Sequence, residues 1–173
     1  RSIASKLVRL HITADSDSQE DQALKLAVRD RLLSELDGKL EEMLSRDEAV
    51  TYFNNSLTEI ESIAENEIKL QGYDYDVSAN LSTEQFPERE YADITLPAGE
   101  YTTLRLTIGT GNGANWWCVM FPPLCSFASL RDTSGSYYSF SNREWKTITK
   151  KAPSIKIKFK LLEVYSTIIS WFK

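Results

Sequence analysis

The chain has 173 residues, 42% of them hydrophobic and 26% charged, a balance that fits one folded domain and excludes a disordered or fibrous chain. Its formal charge of −5 is uneven: residues 146–173 hold seven lysines against Glu163, a net of +6, which leaves −11 for the rest. An acidic body lacks the basic footprint that phosphate backbones require, which argues against nucleic acid as a partner. No apolar, uncharged stretch, Val164 to Phe172 included, reaches the roughly 20 residues a bilayer-crossing helix needs. Because the chain opens on Arg1, it is expected to be a processed or trimmed fragment, with any leader or anchor lying upstream.

Val8 to Ala14 alternates as a strand does, with Val8, Leu10, Ile12 and Ala14 on one face and Arg9, His11 and Thr13 on the other. Ser18 and Asp21 then form a short version of a capping box, and Glu20 and Asp21 suit the positive end of a helix dipole. Leu24, Val28, Leu32 and Leu36 predict the helix that follows, with Gly38 as its end. Ser45 and Glu48 predict a second N-terminus. From there Val50, Phe53, Leu57, Ile60, Ala64 and Ile68 make one stripe at helical period, closed by Gly72.

Tyr73, Tyr75, Val77, Ala79 and Leu81 alternate with polar residues and predict a strand. Tyr91 to Leu96 predicts another, Pro97-Ala98-Gly99 a turn, and Tyr101 to Ile108 a third. The expected fold is α+β: an antiparallel sheet that includes the first strand, with the two N-terminal helices packed on one face. After Gly109 the pattern turns irregular, and Arg131 to Asn142 reads as a surface loop. Ile155 to Phe172 fits either a strand or an amphipathic helix, and its length favours a C-terminal helix. Its apolar face suits packing against the domain, or peripheral contact with a membrane through the basic segment.

Little chemistry is written in motifs. Gly109, Gly111 and Gly113 miss the dinucleotide fingerprint, because Trp116 and Trp117 follow where a helix should open. His11 is the single histidine, and Asp15 and Asp17 just beyond its strand make a small polar site conceivable. No nucleophile motif accompanies them, so a structural hydrogen-bonding role is the default. One histidine and a Cys-x6-Cys pair lack zinc-ligand spacing, so no metal and no cofactor is expected. Asp132-Thr133-Ser134-Gly135 has its glycine one place too late for an aspartic protease signature, and no second copy is present. Cys118 and Cys125 bracket a turn stiffened by Pro122 and Pro123, and suit either a disulfide or two buried thiols. Trp116, Trp117, Phe121 and Pro122 surround that turn as candidate anchors for a protein partner, with core packing as the competing role.

Two stretches carry a resemblance. Arg9 to Asp30 (Arg-Leu-His-Ile-Thr-Ala-Asp-Ser-Asp-Ser at its start) resembles the opening of the stage II sporulation protein R family. So does Tyr91 to Cys125, with Asp-Ile-Thr-Leu-Pro-Ala-Gly-Glu-Tyr and Asn-Trp-Trp-Cys-Val-Met-Phe-Pro-Pro-Leu-Cys. The family pattern has Asn where this chain has Asp15, and no motif carries over beyond Cys125. The resemblance implies one extracytoplasmic signalling domain over 1–173, with a family-like core at about 8–125 and a basic segment at 146–173. It also implies that Cys118 and Cys125 are paired. By the same resemblance the chain is not an enzyme. The resemblance implies instead a ligand secreted into the space between forespore and mother cell, where it would activate a membrane-embedded aspartic protease of the mother cell. That protease then removes the pro-sequence of sigma factor E. The alternative is a wall-associated hydrolase built on His11 with Asp15 or Asp17.

Overall fold

A computed structural model describes residues 3–91 and 94–125. After a 3-10 turn at Ile3–Lys6, strand β1 (Val8–Thr13) forms where alternation predicts it. Helix α1 (Gln19–Glu41) starts at Ser18, whose hydroxyl accepts the Asp21 amide at 3.1 Å. It does not stop at Gly38. An interior glycine costs a helix about 1 kcal/mol, whereas carrying on for one more turn buries Leu40, worth about 1.5–3 kcal/mol. Burial wins, and the helix runs on to Glu41.

The single long stripe expected after Ser45 is two helices, α2 (Arg46–Asn55) and α3 (Leu57–Leu70). They break at Ser56, which leaves helical geometry at ψ 12° and donates its amide to Phe53 O at 3.2 Å. Phe53, Ile60, Ala64 and Ile68 stay buried on one side of both, so periodicity alone cannot register the break. The Ser45 hydroxyl caps the Glu48 amide as expected, but the Glu48 carboxylate accepts from Leu44 N, not Ser45 N. Gly72 ends α3 at φ +87°: Tyr73 N donates to Ile68 O and Gly72 N to Lys69 O, the paired bonds of a Schellman motif.

Strand β2 runs Val77–Phe86, later than its alternation suggests, because its ladder partner ends at Ile108, opposite Val77, and the chain turns away at Gly109 with φ +56°; Tyr73 and Tyr75, ahead of the strand, stack on each other. The strand expected at 91–96 is divided between β3 (Arg89–Tyr91) and β4 (Ile94–Leu96), which pair with each other. The turn at 97–98 leads into β5 (Gly99–Ile108), and the Tyr101 hydroxyl donates to Pro97 O at 2.6 Å. The irregular stretch holds one more strand, β6 (Asn115–Phe121).

The main sheet has the order β2-β5-β1-β6. It is mixed, which corrects the antiparallel expectation: β1 lies parallel to β5 and antiparallel to β6. Parallel neighbours need a long crossover, and the three helices with β2 supply it. Val8, Leu10, Ile12, Leu104, Leu106 and Ile108 pack with the apolar stripes of the three helices into one core. A second, smaller cluster of Leu7, Phe86, Leu96, Tyr101 and Val119 lies apart from it. No helix among the described residues is long and apolar enough to cross a membrane. The surface loop expected at 131–142 and the C-terminal amphipathic helix lie outside the described residues.

Candidate functional site

Strand pairing decides which polar residues meet. Leu10 and Ile12 point to the helices, so Arg9, His11 and Thr13 occupy the other face, where β6 offers Trp117 and Asn115 and β2 offers Glu84 and Phe86. His11 sits at the centre, nearly buried. Its Nδ1 lies 2.8 Å from Glu84 Oε2, and its Nε2 lies 2.7 Å from Asn115 Oδ1. Two acceptors suit an imidazolium that donates to both; a neutral ring requires the Asn115 amide to present its nitrogen. Trp117 stacks on the imidazole at 3.8 Å between centroids, 18° from parallel, and Phe86 meets the indole edge-on.

Glu84 is held from other directions too. Its Oε1 accepts the Ser82 hydroxyl at 3.0 Å and lies 3.7 Å from the Arg105 guanidinium. Arg9 is fully buried with its guanidinium 3.9 Å from the Phe86 ring centre and 5.1 Å from that of Tyr101. A buried cation over two aromatic faces gains from their negative quadrupoles. Thr13 Oγ1 lies 3.3 Å from His11 Nε2, and its proton goes to Asn115 Oδ1 at 3.1 Å.

Asp15 and Asp17 stand elsewhere. The Asp15 carboxylate accepts the Thr110 amide at 2.6 Å and the Thr110 hydroxyl at 2.9 Å, while Asp17 accepts the Ala114 amide at 2.7 Å. Both therefore clamp the loop after β5 onto the turn after β1. The glycines are what permit this closeness. A Cβ on Gly109 would stand 2.2 Å from Asp15 Oδ1, and one on Gly113 would stand 2.2 Å from Ser16 O. Lys25 completes the clamp by donating to Ala114 O at 2.8 Å. Loss of hydration pushes its ammonium below the usual lysine range, and the nearby Asp17 charge opposes that shift. The carboxylate at the histidine is thus Glu84, and not Asp15 or Asp17.

Cys118 and Cys125 form a disulfide, with Cα atoms 5.4 Å apart. The aromatic residues around it divide by face. Trp116 lies on the helix side under the Arg29 guanidinium, 4.2 Å from the ring centre, and is partly exposed. Trp117 lies on the histidine side and is also partly exposed. Phe121 is 1% exposed, and Pro122, joined to it by a cis peptide, is buried as well. Only the two tryptophans of the four candidate anchors offer surface; Phe121 belongs to the core because β6 shifts register between Val8 and Arg9. Glu84, Asn115 and Arg105 were not singled out from sequence. The signal was half present, since Arg9, His11 and Thr13 share a face, but their partners are 73 or more residues away.

The fold and these clusters define a disulfide-bonded α+β domain with a mixed four-stranded sheet, helices on one face and a histidine-centred polar cluster on the other. The chain belongs to the stage II sporulation protein R family, whose profile matches residues 4–131. It is 39% identical over 123 residues to the stage II sporulation protein R of Bacillus subtilis (strain 168), a match covering 71% of this chain. It spans about half of that relative's length, 55%. No solved structure matches it.

Proposed function

We propose that this chain is the ligand of a signalling pair in endospore formation. Secreted into the space between forespore and mother cell, it activates a membrane-embedded aspartic protease of the mother cell, which then removes the pro-sequence of sigma factor E. Family membership over residues 4–131 carries this reading. Two features of the chain support it. The disulfide suits an oxidising compartment outside the cytoplasm. The charged residues near His11 and at the glycine loop are bound to one another or to backbone, as in a scaffold that presents a surface. The partly exposed Trp116 and Trp117 are the candidates for receptor contact, while Phe121 and Pro122 hold the loop from within. The test is to add the purified domain to membranes carrying the protease and its precursor substrate. Precursor cleavage that depends on the added domain is the expected result; none at saturating domain would remove the proposal.

A hydrolase reading rests on one observation, the line from Thr13 Oγ1 through the His11 ring to Glu84. It matches the order nucleophile, base, orienting acid. Against it, Thr13 is 3% exposed and its hydroxyl proton is engaged by Asn115. Release of product from wall fragments or peptides that disappears in Thr13→Val would favour the hydrolase.

A further inference from the structure

The two edges of the main sheet are treated differently. The β6 edge is closed at both ends. Leu124 N donates back to Val119 O at 3.2 Å, and Lys25 and Asp17 take the carbonyl and amide of Ala114. Among the described residues the β2 edge is left open. Its ladder to β5 runs through ten residue pairs without a register shift, and Val77–Phe86 contains no proline, lysine or arginine. Those are among the devices by which natural edge strands refuse a neighbour; the one charge on the strand, Glu84, is turned inward to His11.

Backbone groups point outward at every second residue of an antiparallel strand. Ala79 marks which ones, since its amide turns away from β5 and donates to Glu61 Oε1 at 2.8 Å. Leu81, Thr83 and Gln85 follow at the same spacing, and their amides have no partner among the described residues. Thr83 and Gln85 are exposed and Leu81 is partly so. The sequence around the edge is acidic: residues 57–90, which hold α3 and β2, carry nine acidic residues against Lys69 and Arg89, of which Glu59 pairs with Lys39, Glu61 accepts the Ala79 amide and Glu84 faces His11 and Arg105.

We propose that the β2 edge at Leu81–Gln85 is a docking site for an extended, cationic segment of a protein partner, which adds to the sheet as a fifth strand. Main-chain bonds to Leu81, Thr83 and Gln85 hold such a segment, and the acidic surroundings select lysine or arginine on it. This deepens the reading of the chain as a ligand and rests on it, with the partner segment belonging to the receptor.

The test uses the full chain with protease-bearing membranes and two variants. Thr83→Pro removes one outward amide while leaving the ladder to β5 intact, as edge strands permit. Thr83→Lys folds without that demand and sets a positive charge against the incoming strand. Co-sedimentation is expected to weaken about tenfold for Thr83→Pro and to weaken for both variants, with melting temperatures near that of the parent. Amide exchange at Leu81, Thr83 and Gln85 should slow when the parent binds, and binding should fall as salt rises. Parent-like binding by both variants, unchanged exchange at these amides or indifference to salt would overturn the edge proposal while leaving the ligand reading intact. A parent chain that neither binds nor promotes cleavage overturns both. Two further outcomes give the edge another occupant and overturn it. One is protection of these amides in the chain alone that is lost when Lys156, Lys158 and Lys160 become Glu, which makes the occupant the chain's own basic segment. The other is protection that grows with protein concentration, which makes it a second copy.

Discussion

Asp21 shows how much one side chain can fix. It stands in the first turn of α1, accepts the Ser16 hydroxyl, and has its amide capped by Ser18. The Ser16 bond is the largest of the influences that hold its carboxyl below the usual aspartate value; burial opposes it, and Ser18 and Tyr75 add to it. The same contact raises the Tyr75 hydroxyl. A carboxyl with a depressed folded value stabilises the fold fully above its unfolded value, near 3.9, and loses that contribution as pH falls through the lower folded value. Asp21→Asn should therefore flatten the acid limb of stability below about pH 4 and change little of its shape near neutrality, as read from urea midpoints across pH. Phe121 and Trp117 make a second contrast at this scale. Phe121→Ala should cost about 3–5 kcal/mol, and precursor cleavage should then follow the folded fraction. Trp117→Ala, at a partly exposed ring, should lower cleavage beyond its effect on folding; if cleavage merely tracks the folded fraction, Trp117 is a packing residue.

Among the elements, the clamp between the β1–α1 turn and the 109–113 loop is the most sensitive to a single methyl group. Gly113→Ala would press Cβ into the Ser16 carbonyl, and Gly109→Ala adds a positive φ of 56° to a clash with Asp15. Both should destabilise well beyond Gly99→Ala, whose Cβ meets only the Tyr101 ring at 3.9 Å, with thermal melting as the measure. In the sequence this loop shows only as an irregular, glycine-rich stretch, because nothing local announces contacts made 95 positions apart. Helix starts were legible for the opposite reason, since Ser18 and Ser45 cap amides three residues on. The break at Ser56 was not, because the same apolar stripe runs through both helices. Strand β6 escaped notice because Cys118, Val119, Met120 and Phe121 are buried in succession, which erases the alternation that marks a half-exposed strand.

For the molecule as a whole, the disulfide and the charge asymmetry set the remaining expectations. Protein prepared without reductant should show no titratable thiol, and replacing both cysteines should lower stability by about 2–3 kcal/mol, the loop-closure value for so short a ring. Residues 146–173, with their net of +6, are proposed to touch anionic lipid. The domain should then sediment with anionic vesicles at low salt and be released as salt rises; a domain that stays in solution at low salt ends that idea. The α+β class and the helical layer were readable from caps and periodicity. The direction of β1 was not, because side-chain alternation is identical in parallel and antiparallel neighbours.

The central place of β1 has a consequence for the order in which the chain can fold. Its neighbours are Thr102–Thr107 on one side and Asn115–Phe121 on the other, so the earliest strand to be synthesised is among the last to find partners. Some ninety residues of helix and edge strand precede them, with apolar stripes that have no sheet to cover. Contacts of such long sequence separation slow folding, because loop closure is paid before any pairing rewards it. Emergence from a ribosome or a translocation pore would therefore be followed by a pause, during which the N-terminal half stays loosely ordered. A fragment ending at Ala98 should show no cooperative melting transition, whereas one extended through Cys125 should melt as a unit.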